Sequence, residues 1–302
     1  MHPAHEAKRS AGILTGVLCY ARAAGPALAA GLLAAAAAGA AELPLELHAS
    51  AKVSGARPGV HGFVVHDVQS EFQSGTTEIH VLLPQNRPPG AKFPVLYLLP
   101  VEATNGVHWG SALAEAKRLD LANKVGVICV YPTFSQLPWF VDHSADKSIR
   151  QESYFVKVVV PAVESRHPAR RDRDARLLLG FSKSGWGAWS LLLRHPDVFG
   201  KAAAWDAPTA MEQPRYGLEA ISGTRENYDR HQLHEALRTR GKALGASARL
   251  GLFGYDNFRA QMTQTHQWME TLGIPHERRD GPQRKHHWES GWVEEASLWL
   301  VK

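Results

Sequence analysis

One serine of the chain stands where its side chain could act as a nucleophile. The apolar run Leu177–Leu179 ends in Gly180-Phe-Ser-Lys-Ser-Gly, and a pattern typical of a helix follows. This layout indicates a nucleophile elbow, where a buried strand turns sharply into a helix and holds one serine at the tip. Strand and helix backbones nearly touch there, so small residues are needed two positions before and after that serine. Gly180 and Ser184 meet this need, although glycine is usual where Ser184 stands. Ser182 is therefore the candidate nucleophile, and the alternative is a surface serine in an ordinary strand–turn–helix unit.

A serine hydroxyl needs a base to take its proton, and the base needs an orienting group, usually a carboxylate. In doubly wound sheets the acid and then the histidine follow late strands. Asp256 follows a predicted strand, and His286 and His287 follow the last predicted strand. Asp206, after the preceding strand, is a second candidate acid. Position favours Asp256, which could also be a turn residue.

The elements that must position these residues alternate along the chain. Predicted strands cover 62–68, 77–83, 93–99, 125–131, 175–179, 202–205, 249–254 and 276–279. Predicted helices cover 111–122, 150–165, 185–194, 226–244, 257–272 and 292–301, with a kink or break expected at Pro161. Alternation of this kind predicts an α/β fold with a mainly parallel, doubly wound sheet, and the first two strands read as antiparallel.

Length and composition bound the organisation of the chain. A chain of 302 residues with 44% hydrophobic content suits one large α/β domain, which we expect over 60–302 after an irregular leader at 41–59. The formal charge of +5 is mild, and no basic stripe alternates with aromatic residues. Nucleic-acid binding is therefore not indicated.

The first 40 residues read as a targeting segment. Lys8 and Arg9 precede an alanine-rich run at 23–38, and Ala38-Gly-Ala40 offers a small-x-small cleavage site. We expect a cleaved signal peptide and an exported, periplasmic or secreted protein; retention as a membrane anchor is the alternative. Cys19 lies in this segment, so Cys129, in a predicted buried strand, would have no disulfide partner in the mature chain.

Four further stretches carry a resemblance to a known family. They are Phe93-Pro-Val-Leu-Tyr-Leu-Leu99, Gly180–Gly187 followed by Leu193-Arg-His-Pro-Asp-Val-Phe-Gly200, Gly254-Tyr-Asp-Asn-Phe258 and Leu272-Gly-Ile-Pro-His276. Over residues 60–301 the chain resembles the esterase D-type branch of the α/β-hydrolases. That branch includes S-formylglutathione hydrolases, acetylxylan and feruloyl esterases, enterochelin esterases and mycolyltransferases. The resemblance implies an α/β-hydrolase fold and a serine esterase.

The same resemblance assigns residue roles. Ser182 matches the nucleophile and Asp256 the acid. Lys285-His-His-Trp resembles the family's Gly-His-x-Trp loop, which makes His286 the base and leaves His287 at a variable position.

The oxyanion hole departs from the family pattern. The backbone N–H of Lys183 should supply one donor, and that of Val101 or Glu102 the other. Family members usually carry His-Gly in this second loop, where the chain has Pro100–Gly106. A carboxylate at Glu102 would disfavour a nearby oxyanion unless it points away or binds a substrate group.

The function expected from these features is hydrolysis of a carboxylic ester through an acyl-enzyme. Because extracellular polymers carry such esters, an acyl ester on a carbohydrate is one candidate substrate and a siderophore ester is another. Aromatic residues near the motifs could stack on a sugar or a phenolic acyl group, or simply pack the core. No metal-site spacing and no cofactor motif is evident. The rival reading is a non-catalytic α/β-hydrolase-like module that binds carbohydrate or a protein partner.

Overall fold

A mixed sheet forms the centre of the structure, a computed structural model that describes residues 41–85 and 87–302. In the described residues its strands are β1 (Lys52–Val53), β2 (Arg57–Pro58), β3 (Val64–Gln69), β4 (Thr76–Leu82), β5 (Val95–Leu98), β6 (Ile128–Pro132), β7 (Arg176–Phe181), β8 (Lys201–Trp205), β9 (Leu250–Tyr255) and β10 (His276–Gln283). The order is β1-β3-β4-β6-β5-β7-β8-β9-β10, and β2 pairs with β3. Strands β5 to β10 run parallel, whereas β3 and β4 form an antiparallel hairpin. The predicted sheet is therefore confirmed.

Helices cover both faces of the sheet, because strands with apolar side chains on both faces need both faces shielded from water. They are α1 (Ala112–Arg118), α2 (Gln151–Tyr154), α3 (Val160–Arg166), α4 (Ser182–Arg194), α5 (Leu218–Ser222), α6 (Arg225–Asp229), α7 (Leu233–Arg240), α8 (Arg259–Leu272) and α9 (Val293–Leu300). Buried residues of α1 and α9 belong to one apolar cluster, and those of α3 to α8 belong to the other. None of the described helices is long and apolar enough to cross a bilayer.

The helical stretch 151–166 shows how Pro161 is accommodated. A π-helical turn at Phe155–Val159 separates α2 from α3 and ends two residues before the proline. Proline has no N–H for the carbonyl four residues earlier, and that carbonyl, on Lys157, accepts the N–H of His48 instead, at 2.9 Å. The expected break is therefore a local change of helix type. The free carbonyl that it leaves also binds the leader at 41–59 through His48.

The leader at 41–59 is not irregular throughout, contrary to expectation. Both β1 and β2 pair with β3, and the described residues form one compact unit. A two-residue strand is too short to show the alternation of apolar and polar residues by which strands are recognised in a sequence. These two strands are defined by their pairing with β3. The expected signal peptide lies outside the described residues.

Candidate active site

Ser182 lies at a sharp turn between β7 and α4. Its φ is 53°, a left-handed conformation that is costly for a residue with a side chain. Gly180 permits the turn, because a Cβ atom there would lie 2.3 Å from the Ser184 carbonyl oxygen. The serine is largely buried, and its N–H donates to the Asp206 carbonyl at 3.2 Å. These features have the geometry of a nucleophile elbow.

Ser184 shows why a serine can replace the usual glycine. Its hydroxyl accepts the Phe181 N–H at 3.1 Å and donates to the Phe181 carbonyl at 2.9 Å. The side chain folds back on the end of the strand and is fully buried. The added atoms therefore satisfy backbone groups at the elbow rather than blocking the approach of strand and helix.

His286 is buried in an aromatic surround. Its ring centre lies 5.0 Å from that of Phe181, 5.2 Å from that of Trp109 and 5.8 Å from that of Phe258. Its Nδ1 lies 2.6 Å from Oδ2 of Asp206. A carboxylate only accepts hydrogen bonds, so Nδ1 carries the proton and Nε2 of the neutral ring presents a lone pair.

Asp206 follows β8 and is fully buried. Besides the His286 ring, its carboxylate accepts the N–H groups of Asn257 at 3.0 Å and Phe258 at 2.7 Å. Burial raises the pKa of Asp206, but the hydrogen bonds from His286 and from the backbone of residues 256–258 outweigh that effect. The net pKa is lowered, so the carboxylate is charged at neutral pH and can orient the imidazole.

The preference for Asp256 as the acid at the histidine ring is corrected by this geometry. The Asp256 carboxylate instead accepts the backbone N–H of His286 at 2.9 Å and the Gln283 amide at 3.1 Å. The loop after β9 curls back, so its N–H groups point at Asp206 while the Asp256 side chain holds the histidine loop. Both candidate acids thus meet at His286, one at the ring and one at the backbone.

The hydroxyl of Ser182 makes no hydrogen bond within 41–85 and 87–302, so the structure does not join it to the His286 ring by such a bond. Catalytic hydrogen bonds are often long in ligand-free structures. The two residues are nevertheless brought to one place, since Phe181, next to the serine, packs edge-on against the His286 ring.

The loop after β5 holds the Glu102 carboxylate within itself. Its two oxygens accept the N–H groups of His108 at 3.0 Å and Trp109 at 3.2 Å. The carboxylate is thus directed toward the backbone of its own loop. In the described part of the chain, the N–H groups of Val101 and Glu102 donate no hydrogen bond. Lys183 lies in the first turn of α4, where N–H groups lack helical partners.

A cavity of about 810 Å³ lies beside the histidine loop, since His287 and Glu289 line it. Its lining includes His287, which follows His286 in the chain, and Gly110, which follows Trp109. Glu78, His80 and Asn105 also line it. Ser182 and His286 are not among the residues that line it. Its size falls in the range of small-molecule sites.

The aromatic residues near the motifs mostly pack the core. Seven of them are at most 1% exposed: Trp139, Phe140, Trp186, Trp189, Trp205, Trp288 and Trp292. Trp205 stacks on Trp292 at 5.4 Å, and their burial leaves no face for a substrate. Cys129 is also buried and free, and burial raises the pKa of its thiol to about 12, which excludes it as a thiolate nucleophile.

Residues 70–214 match the family described as "Putative esterase". Over that stretch the chain is similar to this esterase family. No curated protein sequence matches it significantly.

Several solved structures share the fold. An S-formylglutathione hydrolase from Agrobacterium tumefaciens is 16% identical, with a TM-score of 0.63 over 83% of this chain and 98% of the other. A ferulic acid esterase is 22% identical, with a TM-score of 0.61 over 83% and 96%. A substrate-bound, fluorophosphonate-binding serine hydrolase from Staphylococcus aureus is 17% identical, with a TM-score of 0.61 over 82% and 100%. The α/β-hydrolase fold is confirmed, and the family match confirms the expectation of a carboxylic ester hydrolase.

Proposed function

We propose that the chain is an exported serine esterase in which Ser182 attacks the ester, His286 transfers protons and Asp206 orients His286. The observation that carries the proposal is the 2.6 Å contact between Asp206 and His286 Nδ1, in a buried site beside the elbow serine. That contact leaves the other ring nitrogen free to accept a proton. A buried carboxylate also stabilises the imidazolium that forms when it does so.

The reaction follows from these positions. His286 Nε2 takes the Ser182 proton as Oγ attacks the ester carbonyl carbon. The oxyanion is bound by the N–H of Lys183 and by that of Val101 or Glu102. Collapse breaks the bond to the alcohol, which leaves with the proton held by His286. Water then repeats the sequence on the acyl-enzyme and releases the acid.

The cavity beside His287 supports a substrate with a bulky group attached to the ester. Its wall combines Glu78, His80 and Asn105 with apolar Val60 and Val107, which are 59% and 63% exposed. A mixed wall of this kind suits an amphipathic group, such as a sugar that carries an aromatic acyl group. A ferulic acid esterase from Anaeromyces mucronatus, solved with ferulic acid, shares the fold at 14% identity and a TM-score of 0.56. We therefore propose an acyl ester on a carbohydrate as substrate. Carbohydrate polymers that carry such esters are extracellular, so this substrate is consistent with the export signal predicted at 1–40.

Labelling with a fluorophosphonate probe, followed by peptide mapping, tests the proposal. We expect one labelled residue, Ser182, and no labelling or ester hydrolysis after Ser182→Ala. Ser148→Ala is the matched control, because that hydroxyl donates only to Asp146 in its own loop. A protein that hydrolyses no ester and takes up no probe, yet binds oligosaccharide, would be a binding module instead.

A further inference from the structure

Three metal-binding side chains meet on the side of the fold formed by α8 and β10. His266 and Glu270 are four residues apart on α8, so they project from one face of the helix. His276 begins β10 beside that face. His276 Nε2 lies 2.7 Å from His266 Nδ1 and 3.6 Å from a Glu270 carboxylate oxygen. One atom from each residue lies within 4.8 Å of the other two. We propose that this cluster binds Zn²⁺.

The tautomer of His276 supports the proposal. Its Nδ1 lies 2.8 Å from the Ile274 carbonyl oxygen, which can only accept, so Nδ1 carries the proton. Nε2 therefore turns a lone pair toward His266 and Glu270. Histidines that bind metals usually donate their other ring N–H to a carbonyl or carboxylate in this way. The His276 side chain is only 4% exposed, which fixes the ring.

Between the two rings a proton occupies the position that a metal would take. In the metal-free state His266 donates its Nδ1 proton to His276 Nε2. Zn²⁺ would replace that proton, which moves to His266 Nε2, so neither ring changes charge. Two ligands of tetrahedral zinc, each about 2.0–2.1 Å from the metal, lie about 3.4 Å apart. The pair His276–Glu270 is near that value, and the His266 ring must move outward by about 0.7 Å.

The charges around the cluster permit a cation. Arg278 lies on β10, two residues after His276. The Arg278 guanidinium is itself held by Thr263 at 3.2 Å and by Asp280 at 3.6 Å. Glu270, 65% exposed, supplies a negative charge and leaves a position open for water. Two imidazoles, one carboxylate and water form a ligand set that suits zinc.

The position of the cluster gives the metal a structural role. Helix α8 starts directly after Phe258, whose N–H binds Asp206, and β10 leads into the loop that carries His286. A metal that joins α8 to β10 would fasten two elements that flank the site. We expect it to raise thermal stability while leaving turnover at 25 °C unchanged.

Titration of protein without a purification tag against ZnCl₂ tests the site, with CoCl₂ as a spectroscopic probe. We expect one Zn²⁺ per chain, intense visible bands of tetrahedral Co²⁺, and a rise in Tm of about 5 °C at about 100-fold excess over Kd. Glu270→Gln and His266→Asn should each weaken binding at least about tenfold. The exposed Glu270 carboxylate makes no hydrogen bond or ion pair with the other described residues outside this cluster, so its replacement should leave the metal-free Tm unchanged.

A second histidine pair provides the control. Nε2 of His66 and Nε2 of His167 lie 2.9 Å apart, with no carboxylate in contact among the described residues. His167→Asn should leave zinc binding unchanged. Equal binding by wild type and Glu270→Gln, an octahedral cobalt spectrum, or loss of binding in His167→Asn would each overturn the assignment.

Discussion

Replacing Asp206 with asparagine tests which acid serves His286, with Asp256→Asn as the matched change. The Asp206 carboxylate accepts three N–H groups, from His286, Asn257 and Phe258. Oδ2 accepts from His286 and Asn257, and Oδ1 accepts from Phe258. An asparagine has only one side-chain oxygen, so its NH₂ group must face either the Phe258 N–H or the His286 ring. If it donates to Nδ1, the ring takes the wrong tautomer and Nε2 no longer accepts the serine proton.

The expected loss in kcat for Asp206→Asn is about 10⁴-fold, as in other triads. At about 1.36 kcal/mol per tenfold, this is about 5.4 kcal/mol of barrier. Asp256→Asn should cost less than about tenfold, because its amide oxygen can still accept the His286 N–H. Both variants should be measured with p-nitrophenyl acetate, by single turnover, alongside Tm.

The free energy of unfolding provides a second measurement on Asp206→Asn. One lost hydrogen bond to the charged group costs about 1.5–3 kcal/mol. Because the folded pKa of Asp206 is lowered, its stabilising effect is complete above the unfolded value and is lost as the pH falls through the folded value. The stability gap between wild type and Asp206→Asn should therefore be full at pH 7 and shrink below about pH 4. If Asp256→Asn were the more damaging to turnover, the proposed role of Asp206 would be wrong.

Four other changes test the surroundings of the site. In steady-state kinetics, His287→Ala should keep kcat within about tenfold of wild type, whereas His286→Ala should lower kcat as much as Ser182→Ala does. The reverse order would mean that His287 is the base. Ser184→Gly should stay active, but its free energy of unfolding in urea should fall by about 1 kcal/mol because two hydrogen bonds at the elbow are lost. Gly180→Ala should yield no soluble active enzyme, because its Cβ would overlap the Ser184 carbonyl; normal activity in lysate would contradict the close approach. Glu164→Gln should lower the free energy of unfolding in urea by about 3–5 kcal/mol, because the buried Arg176 charge loses its carboxylate partner; an unchanged midpoint would refute this.

The elbow could be predicted from sequence because all its requirements are local. An apolar run, Gly180, Ser182 and a helical pattern lie within a few positions of one another, and the structure has the turn there. The acid could not be chosen in this way, because Asp206 and Asp256 each follow a strand of the same sheet. Only the curl of the loop after β9, which turns the N–H groups of Asn257 and Phe258 toward Asp206, distinguishes the two.

The histidine–glutamate cluster shows the same limit from another side. His266 and Glu270 have a spacing that places them on one helix face, and this can be seen in the sequence. Their third partner, His276, lies across a turn at the start of a strand, where no periodicity relates it to the helix. A search by spacing along the chain therefore passes over the cluster.

Arg176 determines how much of the N-terminus can be removed from a recombinant protein. Its fully buried guanidinium donates to the Leu43 carbonyl, at 2.5 Å, as well as to Glu164. The Leu43 N–H in turn donates to the Arg171 carbonyl at 2.8 Å. A truncation that starts at residue 50 would take away this carbonyl and open a path for water to a buried charge. Expression should therefore begin no later than Glu42, and a fusion partner belongs upstream of that residue.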